Sequence, residues 1–343
     1  MGETIRVVLD ALGGDSAPRV PLEGAVAAAR ELPGIRVIVT GDKTTIDREL
    51  RAIAGGAQAP LEVVHAAEVV GMDETPAVAV RSRRDNSMSV GMRLVREGAA
   101  DAFVTAGNTG AALAAALLDL GRIQGIRRPA LATVMPGLHS GYLLLDIGAN
   151  ADCRPSDLVQ FALMGQVYAG RILGCASPRI GLVSNGEEEG KGNELVKEAY
   201  GLLKQSGLRF VGNVEGKDLP HGVADVVVTD GFTGNVLLKT TEGVVALVLG
   251  AIKEAAKTGL RGRVGGLLLR PLLKQALAQL DPSEVGGAPL LGVAGVVLVG
   301  HGRSDVRAIV SLIRAGANAA RQGLVGAIRG GLADMGMERD QAE

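Results

Sequence analysis

Short β-branched runs alternate with longer stretches of helical period along almost the whole chain. Residues 5–10 (IRVVLD), 36–41 (RVIVTG) and 61–65 (LEVVH) read as strands, with helices over 21–32 and 42–54 between them. Two helices follow over 75–84 and 87–97, then a strand over 101–106 (DAFVTA) and a helix over 109–121. Residues 131–135 and 142–147 read as two strands in succession. The alternation resumes with a helix over 156–173, a strand over 179–184, a helix over 193–206 and strands over 209–214 and 224–230. A helical region of roughly 50 residues, a strand over 295–300 and a last helix to about residue 330 complete the pattern. Strands apolar on both faces and joined by helices imply a largely parallel sheet covered on both sides. The pattern therefore predicts an α/β protein, one three-layer α/β/α body over residues 1–343 with a helical subregion near 240–290 inside it.

Composition narrows the function. With 47% hydrophobic and 21% charged residues the chain has ample material for a core. Its net charge of -1 and its 2% aromatic content without Trp argue against nucleic-acid binding, which needs basic excess and stacking platforms. Glycine, 50 of 343 residues, is the outlier, and it falls beside apolar runs where strands turn into helices. Cys153 and Cys175 match no metal spacing and are too few for a disulfide framework, which suits a reduced, cytoplasmic protein without a metal or other cofactor. The beginning of the chain carries no signal-peptide pattern, and no run of about 18 uncharged apolar residues predicts a membrane span.

Ligands of open α/β sheets bind at the carboxyl ends of strands. Six such loops here combine small residues with Asp, Asn, Thr or Ser: LDALGGDSAP, TAGNTG, LDIGANAD, SNGEEEGKGNE, TDGFTGN and GHGRSD. Glycines let backbone approach a ligand, and amide and hydroxyl donors where a helix begins suit phosphate oxygens. On that ground Asp10, Gly13, Gly14, Asp15, Gly107, Thr109, Gly110, Asp146, Asn150, Gly231, Thr233, Gly234 and Asn235 are candidate phosphate or substrate ligands. The competing reading is that Asn108, Thr109, Thr233 and Asn235 cap helices. Asp10, Asp146 and Asp230 each end a predicted strand and could share one cleft, holding a metal, orienting a lysine or capping turns. Of the four histidines, His301 directly follows a strand and could shuttle a proton. Neither dinucleotide nor P-loop glycine spacing occurs, and there is no nucleophile elbow, so an acyl-enzyme is not indicated.

The loops together carry a likeness. LDALGGDSAP, AGNTGA, RPALAT, LLDIGANAD, GEEEGKGNEL, FVGNVEG, DGFTGNVLLKTTEG, PLLGVAGVV and GHGRS occur in the order found in the bacterial phosphate acyltransferase (PlsX) family, which the chain resembles from residue 5 to about 320. It departs from the usual family residues at Ser184-Asn185 and at Ala294. The resemblance implies synthesis of acyl phosphate from acyl-[acyl-carrier-protein] and inorganic phosphate, the entry to phospholipids. It further implies a fold similar to isocitrate and isopropylmalate dehydrogenases, a homodimer, and peripheral membrane association beside the downstream glycerol-3-phosphate acyltransferase. In that chemistry phosphate attacks the thioester directly, so the enzyme needs a cradle and oxyanion donors rather than a strong base. Asn108, Asp230, Lys191 and His301 are then the candidate catalytic groups, Lys191 and Lys239 neutralise charge, and Arg81, Arg83 and Arg84 meet phosphate or the acidic carrier. The alternatives are a coenzyme A-dependent phosphate acetyl- or butyryltransferase, a decarboxylating dehydrogenase, and a non-catalytic membrane scaffold for lipid enzymes.

Residues 251–280 carry six basic side chains against Glu254, a local charge of +5. At 100° per residue, Arg263, Arg270 and Lys274 fall within about 40° of one another, with Leu268, Leu269, Leu272 and Leu280 opposite. That pattern predicts an interfacial helix on anionic lipid, broken into two pieces at Gly265-Gly266 and Pro271. The competing reading makes these leucines the core of a dimer and the charges its rim.

Overall fold

The computed structural model describes residues 4–54, 56, 58–71, 73–278 and 286–337. Its first half comprises β1 (Ile5–Asp10), α1 (Arg19–Glu31), β2 (Ile35–Gly41), α2 (Lys43–Ala52), β3 (Glu62–His65), α3 (Pro76–Ser82), α4 (Ser87–Arg96), β4 (Ala102–Thr105), α5 (Thr109–Ala115), β5 (Ala130–Met135) and β6 (Tyr142–Leu145). Then come α6 (Pro155–Arg171), β7 (Ile180–Val183), α7 (Glu194–Gln205), β8 (Phe210–Val214), β9 (Val226–Val228), α8 (Gly231–Lys257) and α9 (Gly259–Ala278). The chain closes with β10 (Ala288–Leu291), β11 (Val296–Val299), α10 (Val306–Arg321) and α11 (Leu324–Asp334). Side-chain carboxylates and amides at helix starts do much of the delimiting. Asp42, Asn86, Asn108, Asn193, Asp230 and Asp305 each accept the backbone N–H three residues on.

The eleven strands form one sheet in the order β3-β2-β1-β4-β11-β10-β5-β6-β9-β7-β8. Pairing is parallel from β3 to β11 and again from β6 to β8, but β10 runs antiparallel to both β11 and β5, and β5 antiparallel to β6. The two parallel halves therefore point in opposite directions. Alternate residues of single strands enter two separate cores: Val7, Leu9, Leu143 and Leu145 on one face, Val8 and Leu144 on the other. Helices cover both, which gives the predicted three layers.

Three local expectations need correction. β10 lies in what read as the end of the helical region. The helix over 109–121 ends as a π-helical turn, Ala116–Leu120. Helix α9 runs unbroken through Gly265, Gly266 and Pro271, and the chain breaks instead at Gly259, whose φ of +65° ends α8. By length and hydropathy alone α8 is long and apolar enough to cross a membrane, although no such helix was expected; it holds two charged residues, Lys239 and Glu242, in its first half. The side chains of Leu272 and Lys274, and all of Leu280, lie outside the described residues.

Candidate active site

The loops after β1, β4 and β11 meet at one edge of the sheet. Asp10 is buried there, and its carboxylate accepts the Thr105 hydroxyl at 2.8 Å and the Leu12 N–H at 3.0 Å. Burial pushes its pKa up, while the Ser87 and Thr105 hydroxyls and the amides of Leu12 and Gly13 act the other way. Thr105 Oγ1 in turn accepts the Gly107 N–H at 2.9 Å. Gly13 closes this knot: a Cβ there would lie 2.6 Å from Asp10 Oδ2 and 2.7 Å from the Gly107 nitrogen. Asp15 N–H donates to the Gly302 carbonyl at 2.8 Å, tying in the β11 loop. The result is a rigid turn presenting Asn108 and Thr109 at the start of α5. Asn108 Oδ1 accepts the Ala111 N–H at 3.0 Å, so this residue does cap the helix.

The loops after β6 and β9 form a second knot at the opposite edge. Asp146, fully buried, accepts N–H groups from Leu131, Gly148 and Ala149 on one oxygen, and from the Asn150 backbone and side chain on the other, at 2.7–3.1 Å. Burial raises its pKa and these donors oppose the rise. Asp230 caps α8, accepting both the N–H and the hydroxyl of Thr233 at 2.8 Å. Gly231 and Gly234 allow that helix to start directly on the loop. Gly231 N–H reaches the Asn150 carbonyl at 2.8 Å, and a Cβ on Gly234 would lie 1.9 Å from the Asp146 carbonyl oxygen.

Between the two knots a cleft of about 1330 Å³ runs over the middle of the sheet. Gly107, Asn108, Thr109 and Gly110 line one wall, Asn235 and Lys239 of α8 the other, and His301 and Arg303 close over the rim. Asn235 Nδ2 donates to the Ile147 carbonyl at 3.0 Å, and Lys239 pairs with Glu242 at 2.8 Å. His301 Nδ1 accepts the Arg303 N–H at 3.1 Å, which in the neutral ring leaves the proton on Nε2 as a donor.

The structure thus sorts the candidates. Gly107, Asn108, Thr109, Gly110, Asn235, Lys239 and His301 line the cleft. Asp10, Gly13, Gly14, Asp15, Asp146, Asn150, Asp230, Gly231, Thr233 and Gly234 stand behind it as loop organisers; Asp146 and Asp230 share the second knot because β6 and β9 are parallel neighbours, while Asp10 stands apart because β1 runs the opposite way. Lys191 is exposed on the loop after β7 and does not line the cleft. The expected basic cluster is largely tied up: Arg83 pairs with Glu74 at 2.7 Å and Arg84 with the buried Asp119 at 2.6 Å, while Arg81 is exposed. His139, Ser140 and Arg303 also line the cleft and were not singled out. His139 sits in the β5–β6 connection, and only the antiparallel pairing of those strands brings it to the rim. Among the described residues one group, Glu187, Glu215 and Asp218, could hold a cation; it lies outside the cleft and contains the Lys217–Glu215 pair.

The model of the fatty acid synthesis protein family matches residues 5–326. The phosphate acyltransferase of Heliobacterium modesticaldum is 48% identical over 95% of this chain and 97% of its own length. Among solved structures, a phosphotransacetylase from Streptococcus pyogenes shares the fold with a TM-score of 0.62 at 18% identity, over 94% of this chain and 95% of that one. A 4-hydroxythreonine-4-phosphate dehydrogenase from Burkholderia phymatum does so at a TM-score of 0.51 and 16% identity, over 92% and 98%.

Proposed function

Since the chain belongs to the fatty acid synthesis protein family, whose curated relatives are phosphate acyltransferases, we propose that it transfers a long-chain acyl group from acyl-[acyl-carrier-protein] to inorganic phosphate. Acyl transfer to phosphate is the activity; the carrier-protein donor is the step taken here. The observation that carries it is a single cleft with donors on one rim and apolar walls beneath.

The two knots bid differently for phosphate. In the loop after β6 the amides of Gly148, Ala149 and Asn150 already donate to Asp146, so these three are not offered to an anion. The opposite rim offers Asn108, His301 and Arg303, with Lys239 facing across. Phosphate held there is a competent nucleophile near neutral pH. Its oxygen forms a bond to the thioester carbonyl carbon, and the Asn108 amide stabilises the oxyanion. Collapse breaks the carbon–sulfur bond, the sulfur takes the proton that the attacking hydrogen phosphate gives up, and acyl phosphate leaves with free carrier thiol while the His301 Nε2–H serves as a hydrogen-bond donor beside the reacting groups. No cofactor enters these steps.

Exposed apolar side chains on α8 (Val244, Leu247, Val248) suit a second copy of the chain. Leu267 and Leu268 on α9, 71% and 69% exposed beside Arg263 and Arg270, suit an anionic membrane surface. The enzyme is then a cytoplasmic homodimer peripheral to the membrane, handing acyl phosphate to a glycerol-3-phosphate acyltransferase, with Arg81 available to the acidic carrier. Incubation with palmitoyl-carrier protein and phosphate, followed by mass detection of palmitoyl phosphate, tests the reading. Turnover with acetyl-coenzyme A alone favours the short-chain alternative. A stoichiometric, kinetically competent acyl adduct formed without phosphate overturns direct attack.

A further inference from the structure

We propose that the apolar part of the cleft between α5 and α8 is the acyl-chain subsite, and that Leu113 and Leu238 set the length of chain it accepts. The inference rests on the acyl-transfer reading above and assigns the part of the site that reading leaves unspecified.

Helix α8 is built unusually for a helix beside a sheet. Its half-buried positions Leu238, Thr241, Val245 and Leu249 recur at helical spacing and form one stripe. That stripe lines the cleft, with Leu238 at its base packed against the core behind it, and the helix's main packing is against β6 and α9. From 238 to 249 it extends about 16 Å at 1.5 Å per residue. Leu131 and Leu290, cross-strand partners on β5 and β10 and both buried, form the floor. Leu113 reaches in from α5 on the other wall.

Ordinary small-ligand pockets occupy about 300–1,000 Å³, and 1330 Å³ exceeds that range. An acetyl group would leave most of this apolar surface wet. A flexible alkyl chain covers it, one methylene at a time, with its carbonyl end free to reach Asn108 and His301 in the same cleft. Leu113 on α5 and Leu238, the first leucine of the α8 stripe, are where added bulk shortens the path.

The test is a series of acyl-carrier proteins from butyryl to stearoyl with phosphate, following acyl phosphate by mass spectrometry for the wild type, Leu238→Trp and Leu113→Phe. In the wild type kcat/KM should rise about fourfold per added methylene until the compartment is full. Each variant should bring that plateau to shorter chains and lower the palmitoyl-to-butyryl ratio of kcat/KM by at least about tenfold, the loss of roughly two methylenes of burial. Two variants on different helices guard against one failing to fold, which a thermal melt reports. An unchanged chain-length profile in folded variants, or equal loss on all donors, overturns the proposal. If the wild type makes no acyl phosphate from any donor, it is the acyl-transfer reading that fails.

Discussion

Gly234→Ala is the most severe test of how the second knot is assembled. The new Cβ would lie 1.9 Å from the Asp146 carbonyl oxygen and 3.1 Å from Thr229 Cγ2, so α8 and the 146–150 loop must part by about 1.5 Å to reach ordinary contact. Two hydrogen bonds resist that parting: Gly231 N–H to the Asn150 carbonyl at 2.8 Å and Asn235 Nδ2 to the Ile147 carbonyl at 3.0 Å. Overpacking against backbone costs up to about 3 kcal/mol, and losing one of the bonds about 1 kcal/mol more. Alanine's better helix propensity returns at most about 1 kcal/mol. The net is a loss of about 3 kcal/mol, a fall in melting temperature on the order of 5 °C for a chain of this size. Gly201→Ala in α7, where a Cβ meets nothing within 4 Å, should instead stabilise by up to about 1 kcal/mol. Calorimetry on the two variants and the wild type decides. A Gly234→Ala protein melting at or above the wild-type temperature would refute the close approach of helix and loop.

Asn108→Asp keeps a capping oxygen for the Ala111 N–H but sets a negative charge toward phosphate; melting should barely move while kcat/KM falls by about 10²–10³. Thr233→Ala, whose hydroxyl bonds Asp230 behind the cleft, should cost about 1 kcal/mol of stability with activity largely kept. In alkaline solution, burial holds Tyr142, Tyr168 and Cys153 protonated to about 12. These raised values mean the unfolded chain releases protons first, so stability is intact below about pH 9 and falls from there toward 12; urea midpoints across that range check it, and a flat profile contradicts the burial. Leu267→Glu with Leu268→Glu should abolish flotation with anionic vesicles while the dimer persists on gel filtration, and retained flotation removes α9 as the membrane face.

Most of the fold was legible because its signals are local. Runs such as YLLL, and IRVVLD with its apolar VVL centre, become strands buried on both faces, and Asx caps mark where helices begin. What escaped depends on pairing across the chain. The four residues of β10, with Pro289 among them, carry little strand signal of their own and exist as a strand because β11 and β5 flank them. Being antiparallel to both neighbours, β10 leaves β5 running with β11, and the antiparallel β5–β6 pair then reverses the second half of the sheet. No reading of individual loops reveals the reversal, which is why six similar loops suggested one site when five of them form two knots with a cleft between and the loop after β7 joins neither.

The same limit applies residue by residue inside the loops. An aspartate ending a strand before glycines fits a phosphate site, a metal site and a loop organiser equally well, because each needs a carboxylate and flexible backbone. The deciding variable is the direction in which the neighbouring amides point. Around Asp146 five donors turn inward, so the acid consumes the amides that would have held an anion. Around Asp10 the donors are fewer and the chain of contacts runs outward, through Thr105 to Gly107 and so to Asn108 at the cleft wall. Two loops of near-identical composition thereby acquire different work: one stiffens an apolar wall, the other presents Asn108 at the cleft wall. Residue types in such loops report that a knot will form, and only the sheet direction and the hydrogen-bond sense report which side of it faces substrate.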